Sequence, residues 1–262
     1  MTGRMDGKVA IVTGAASRGE GVGNGKAIAL LFAPEGAKVV LVNRSAQRAE
    51  ALREEITQAG GVASVLAGDI TDKAVAEAAV AEAEERYGAL HVLVNNVGIG
   101  GGGSAENVEE PVWDEVLDAN LKSMMLATRA AIPAMRRAGS GSIINISSSA
   151  GARGLTGGPG AAAYATSKGG MHGFTYSVAA DFARENIRCN CIVVGTVDTP
   201  MVAELGEEAR QRRVEMVPMG SRGTGWDIGW AAVYLASDEA RWVTGAFLPV
   251  DGGLIALRAW PR

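Results

Sequence analysis

Tyr164 and Lys168 stand four residues apart in YATSK, a spacing that puts both side chains on one face of a helix. A phenol titrates near ~10 in water, too high to trade protons readily at neutral pH. A neighbouring ammonium favours the phenolate, so Lys168 is expected to lower the Tyr164 pKa and let the phenol act as a general acid or base. Any amphipathic helix with a half-buried Tyr and a solvated Lys carries the same pair. Two other features set this one apart: a serine run at 147–149 just upstream, and a glycine-rich stretch near the N-terminus.

That stretch, VTGAASRGEGVGNGKAIA, holds five glycines from Gly14 to Gly25, where a dinucleotide-binding turn needs about three. GKAIALLFA is the clearest helix after it, which puts Gly25 in the first turn. Gly14, Gly23 and Gly25, with Ser17 and Asn24 beside them, then form a phosphate cradle with a pyrophosphate against the helix N-terminus. About five residues near Arg18 to Val22 are surplus to the usual turn. They are expected to bulge and bring Arg18 near the adenosine ribose. The competing register, with Gly19 and Gly21 in the functional positions, forces glycines into the helix start at up to ~1 kcal/mol each.

The elements that must position these residues alternate along the chain. KVAIVT (8–13), AKVVLV (37–42), VASVLAG (62–68), HVLVNN (91–96), SIINIS (142–147), IRCNCIVV (187–194) and FLPV are predicted strands. Helices are predicted from near Gly25, over 45–60, over 71–88, from about Val112 to Arg137, from about Ala161 to Arg184 and around 226–236, with a less regular segment before Gly223. Continuous apolar strands alternating with helices imply a doubly wound α/β fold: a parallel seven-stranded sheet with helices on both faces, in a single domain over 1–262. Ligands in such folds lie at the carboxyl ends of the strands. Polar or glycine residues stand at those exits: the glycine turn, NRS, GDI, NNVG, SSSAG and GTVDTP.

Composition narrows the function further. Apolar residues make up 47% and charged residues 21% of 262, and the net charge is −4. This gives no basic footprint for nucleic acid, and no apolar run approaches the ~20 residues that span a bilayer. The N-terminal apolar run is short and leads into a glycine turn, so it reads as a strand rather than a targeting segment. Cys189 and Cys191 point the same way along one strand and suit reduced core residues of a cytoplasmic protein. With two distant His they offer no metal-ligand spacing, and no metal is expected.

Taken together, TG…GNG, Asp69, NNVG at 95–98, Asn120, ISS at 146–148, YATSK and VTGAFLPVDGG make the chain resemble the single-domain short-chain dehydrogenases/reductases over nearly its whole length. The resemblance implies a Rossmann fold and an NAD(P)(H)-dependent oxidoreductase interconverting a secondary alcohol and a ketone. Tyr164 matches the family's proton donor or acceptor, and Lys168 the residue that holds the nicotinamide ribose and depresses the Tyr pKa. Ser148 matches the residue that bonds the substrate oxygen, with Ser147 and Ser149 as neighbouring registers. Asn120 matches the support of a water-mediated proton path, its other role being a polar kink in a helix. The gap from Ser148 to Tyr164 is longer than usual, so the loop ARGLTGGPGAAA must bulge.

Asn43, Arg44 and Ser45 stand where NAD-preferring members carry Asp. An amide that does not repel a 2′-phosphate, an Arg that pairs with one, and Arg18 lean the choice to NADP(H) over NAD(H). Asp69 and Ile70 resemble the adenine-holding pair, and Asn96 and Gly98 the adenosine wall. Gly195, Val197 and Thr199 resemble the carboxamide segment, with Val194 replacing a usual Pro and expected to loosen that turn. His91 is read as structural. Residues 199–223 resemble a substrate lid, whose Met201, Val202, Leu205, Met216, Val217 and Met219 either line the pocket or pack the lid down. Arg153 either faces the pocket toward an anionic substrate or is solvated, the latter preferred. The partner is a small alcohol or ketone, either 3-oxoacyl or alcohol/sugar in type, with no nucleic acid and no membrane. The family also implies a homotetramer, or a dimer, paired through the long helices and last strand. A non-catalytic dinucleotide sensor, or an epimerase or dehydratase using bound cofactor, remains as an alternative.

Overall fold

The computed structural model describes residues 3–19, 21–154, 160–200 and 206–257. In chain order the elements are β1 (Val9–Thr13), α1 (Asn24–Phe32), β2 (Lys38–Asn43), α2 (Ala46–Gln58), β3 (Val62–Ala67), α3 (Lys73–Tyr87) and β4 (Val92–Asn95). There follow α4 (Glu110–Leu117), a π-helical turn (Asp118–Lys122), α5 (Ser123–Ala138), β5 (Gly141–Ser148), α6 (Ala162–Phe182) and β6 (Ile187–Val194). The chain closes with β7 (Val197–Asp198), α7 (Glu207–Glu215), β8 (Gly223–Thr224), α8 (Gly225–Ala236) and β9 (Phe247–Val250).

One seven-stranded sheet runs in the order β3-β2-β1-β4-β5-β6-β9, and every pairing in it is parallel. Alternate residues of each strand supply opposite layers, as the two-residue period of a strand requires. Ala10, Val12, Val39, Leu41, Ile144 and Ile192 pack under α1, α2 and α8 with Ile28, Phe32 and Ile228. Val9, Ile11, Val40, Val42, Ile143 and Cys189 pack under α3, α5 and α6 with Val80, Met135 and Val178. Burial of each large apolar side chain contributes roughly 1.5–3 kcal/mol. Because both faces are covered, the central strands read as unbroken apolar runs, which is why all seven could be found in the sequence.

The sheet order reverses between β1 and β4, and helices leave to opposite faces on either side of that seam. The seam therefore opens as a crevice at the strands' carboxyl ends. It is pinned by Asn96, whose backbone amide donates to Thr13 Oγ1 (3.0 Å) and whose side-chain amide donates to the Thr13 and Gly14 carbonyls (3.1 and 3.0 Å).

Two details depart from the predicted elements. The segment before Gly223 contains α7 and a two-strand ribbon, β7 with β8. Its charged residues gave no apolar period, because α7 is held by ion pairs. Val194 does not loosen its turn: it extends the β6 ladder and pairs with Val250, and Gly195 then donates to the Val250 carbonyl (3.0 Å). His91 is structural as expected, its Nδ1 accepting from the Val9 amide (3.1 Å) at the root of β1.

Candidate active site

The glycine turn follows the register built on Gly14, Gly23 and Gly25. Helix α1 begins at Asn24 with Gly23 as its N-cap and no capping side chain, so the first-turn amides are left for a ligand. Gly14 has φ +60°, a left-handed conformation that favours glycine. A β-carbon on Gly25 would lie 2.2 Å from the Gly14 carbonyl oxygen, so only glycine lets turn and helix meet. Asn24 Oδ1 is buried and unpartnered among the described residues. A helix N-terminus with uncapped amides, a bare glycine cradle and an orphaned polar atom fits a dinucleotide pyrophosphate. Ser17 closes the loop by accepting from the Gly23 amide (2.9 Å).

The surplus loop meets a segment distant in the chain. A β-carbon on Gly19 or Gly21 would lie 3.6 or 3.8 Å from the Pro200 ring, so the bulge leans on the root of segment 199–223. The glycine turn is tied to the end of β2 by Ala15, donating to the Val42 carbonyl (3.3 Å), and by Ala16, donating to Asn43 Oδ1 (3.4 Å). Arg18 is exposed at the wall of the cleft. Asn43 is committed internally too, since its Nδ2 donates to the Ser45 carbonyl (3.2 Å). Arg44 stays mostly exposed, 3.6 Å from Asp69. Burial raises the Asp69 carboxyl, but the Thr71 amide and hydroxyl (3.0 and 2.8 Å) and Arg44 outweigh it and hold the pKa below its ordinary value.

At the other end β5 and α6 bring the chemistry together. Ser148, Tyr164 and Lys168 line the same cleft of about 770 Å³ as Gly14, Ser17, Arg18, Gly23, Asn24, Gly25, Asn43, Arg44, Ser45, Asp69, Ile70, Asn96, Gly98, Gly195, Val197 and Thr199. Ser147, Ser148 and Ser149 all border the cleft, but their hydrogen bonds differ. Ser147 turns inward, donating to the Lys168 carbonyl (2.9 Å) and meeting His172 Nε2 at 3.0 Å, and Ser149 is buried. Ser148 keeps its hydroxyl at the cleft, accepting from the Ala150 amide (3.2 Å). Residues 155–159, where the longer gap to Tyr164 was expected to bulge, lie outside the described residues. Beyond them the chain docks on the loop after β4, with Ala162 donating to the Gly103 carbonyl (3.0 Å).

Lys168 is buried, with its ammonium 5.8 Å from the Tyr164 ring centroid and donating to the Ile146 carbonyl (2.9 Å). Burial lowers its pKa to about 8. Tyr164 corrects an expectation. Its pKa is raised rather than depressed: burial pushes it up, and the Ser148 hydroxyl and then the Arg213 charge oppose that without prevailing. A phenol held above its ordinary value is a proton donor at neutral pH.

Asn120 does not line the cleft. It is fully buried behind it, at the centre of the π-helical turn that joins α4 to α5. Its Oδ1 accepts from the Ile99 amide (2.7 Å), and its Nδ2 donates to the Ile99 carbonyl (3.0 Å) and Ser167 Oγ (2.9 Å). A β-carbon on Gly98 would lie 3.1 Å from Lys168 Nζ and 3.6 Å from Asn120 Oδ1, so Gly98 is the gap between them.

Sequence reasoning missed Arg48, Thr71, Glu115 and Arg213, which also line the cleft. Thr71 follows directly on GDI and could have been read as a carboxylate partner; Arg213 needed α7 to be seen. Arg153 is not among the cleft residues and is exposed, in line with the preferred solvated reading, while its guanidinium donates to the Leu254 carbonyl. Of the lid residues, Val217 is buried, Met219 is exposed and Met216 faces the cleft, while Met201, Val202 and Leu205 lie outside the described residues. Cys189 and Cys191 are free and buried, their thiols pushed up to about 12 by burial. Among the described residues no cluster of metal ligands occurs, and no helix is long and apolar enough to cross a membrane.

Known proteins resemble this chain in sequence and fold. The family model described as enoyl-(acyl carrier protein) reductase matches residues 14–255. A 3-oxoacyl-[acyl-carrier-protein] reductase of Thermotoga maritima is 37% identical, over 96% of this chain and 99% of its own. A 3beta-hydroxysteroid dehydrogenase of Mediterraneibacter gnavus is 36% identical, over 96% of each. The crystal structure of a short-chain dehydrogenase/reductase from Burkholderia xenovorans superposes with a TM-score of 0.92 at 41% identity, covering 97% of this chain and 99% of that one. With a matching family model, full-length relatives and a shared fold, the chain belongs to the short-chain dehydrogenase/reductase family and is an NAD(P)-binding oxidoreductase of alcohol and ketone groups.

Proposed function

We propose that Tyr164 is the general acid of ketone reduction and the general base of alcohol oxidation, with Ser148 as the second donor to the reacting oxygen. The observation that carries this is the convergence of Ser148, Tyr164 and Lys168 on the cleft that also holds the glycine cradle. The nicotinamide supplies or accepts the hydride when bound. The chain's part is the proton. In reduction, Ser148 and Tyr164 present two hydroxyls to the oxygen as negative charge develops, and the Tyr164 proton moves onto it. Lys168, fixed by the Ile146 carbonyl, favours the resulting phenolate. Asn120 acts at one remove by tying α4–α5 to Ile99 and to Ser167 of α6, the helix that carries Tyr164 and Lys168.

Gly14, Ser17, Gly23, Asn24 and Gly25 are assigned to the pyrophosphate, and Asn43, Arg44, Ser45, Asp69, Ile70, Asn96 and Gly98 to the adenosine half. Gly195, Val197 and Thr199 are assigned to the carboxamide. We infer NADP(H) rather than NAD(H), because Arg44 and Arg48 line the cleft at the exit of β2, while the nearby carboxylate, Asp69, is already bound by Thr71 and Arg44. Residues 199–223 are assigned as a lid on one domain. The buried thiols suit a reducing, cytoplasmic setting. Self-association as a homotetramer is supported by Tyr176, exposed on α6 and stacked edge-on against Phe247 of β9.

The test is a panel of carbonyls and secondary alcohols with both cofactors, followed at the nicotinamide absorbance. Turnover with higher kcat/KM for NADP(H) is expected. Tight cofactor binding without turnover on any panel member would favour the non-catalytic alternative, and a clear NAD(H) preference would overturn the cofactor assignment.

A further inference from the structure

Helix α7 carries three arginines, and two are neutralised within the protein. Arg210 reaches Asp198 (3.4 Å) and Glu207 (3.7 Å), and Arg222 of the following segment reaches the same two carboxylates (3.3 Å each). This cluster fastens α7 to the β7–β8 ribbon. Arg212, on the outer side, pairs with Glu208. Arg213 lies three residues after Arg210 and therefore on the same, inward side. Among the described residues no carboxylate lies within ion-pair distance of it, and it lines the cleft with Tyr164, Ser148 and Met216. The positive field it adds at the Tyr164 phenol places it on the reacting side of the cleft.

A half-buried guanidinium left unpaired in a cleft is costly unless a ligand completes it. Resting on the alcohol–ketone reading above, we propose that Arg213 binds an anionic group, a carboxylate on the present chemistry, at the far end of the substrate from its reacting carbonyl. Met216 next to it supplies an adaptable apolar wall for the carbon chain between them. The rival partner for Arg213 is Glu115, exposed on the cleft wall contributed by α4; a bond between them would make Arg213 a latch.

The experiment compares kcat/KM for a chain-length series of oxo-carboxylates, from acetoacetate upward, each against its own methyl ester. It uses the full-length wild type, Arg213→Met, Arg213→Lys and Glu115→Gln. A charge-assisted hydrogen bond is worth roughly tenfold or more in binding. The wild type is expected to prefer an oxo-acid over its ester. Arg213→Met should lower that acid-to-ester ratio at least about tenfold, mainly through KM, and Arg213→Lys should restore part of it. Ester preference at every length, or equal losses on acid and ester, overturns the inference while leaving the oxidoreductase reading intact. A matching drop of the ratio in Glu115→Gln overturns it in favour of the latch. Absence of turnover on every acid and ester with either cofactor overturns the inference and counts against the reading beneath it.

Discussion

At the scale of single residues the site is a balance between burial and charge. Lys168 shows it most clearly, since burial lowers its ammonium to about 8. Its folded value lies below the unfolded one of ~10.4, so over that window the unfolded chain binds the extra proton and stability rises with pH. Lys168→Met removes this titration. The stability of wild type relative to the variant is therefore expected to improve, by on the order of 2–3 kcal/mol, as pH rises from about 7 to about 10. Urea unfolding at the two pH values measures it, and a difference that does not move with pH contradicts the buried ammonium. That Ser148, Tyr164 and Lys168 meet at one cleft was legible from the YATSK spacing together with the family resemblance. The direction of the Tyr164 shift was not, because four-residue spacing reports a neighbour and says nothing of how deeply both groups are buried.

At the scale of elements, the site depends on helices that start where a ligand can reach them. Gly25 is the tightest point, since its missing β-carbon makes room for the Gly14 carbonyl. Gly25→Ala is expected to shift α1 away from the turn and weaken nicotinamide-cofactor binding by at least about tenfold. Titration of cofactor fluorescence reads this directly, and unchanged affinity would show that the cradle lies elsewhere. The choice of Gly14, Gly23 and Gly25 was legible because glycine is unfavourable inside a helix and GKAIALLFA marked where the helix begins. The surplus loop's contact with Pro200 was not, since Pro200 lies far away in the chain. Helix α7 was missed for a related reason: its register is set by Asp198, Arg210 and Arg222 rather than by an apolar stripe.

At the scale of the whole molecule, a parallel sheet covered on both faces dictates one crevice where strand order reverses, and Ser148, Tyr164 and Lys168 line it. That architecture was legible because buried parallel strands leave continuous apolar runs, and the exits of those strands were marked by polar and glycine residues. The central claim is that this crevice moves a proton through Tyr164. Replacing Tyr164 by Phe keeps the ring and removes the hydroxyl. Turnover of the best panel substrate is expected to fall by at least about a hundredfold, while cofactor affinity stays within a few-fold of wild type. Retention of activity within a few-fold of wild type would contradict the assignment of Tyr164 as the acid–base group.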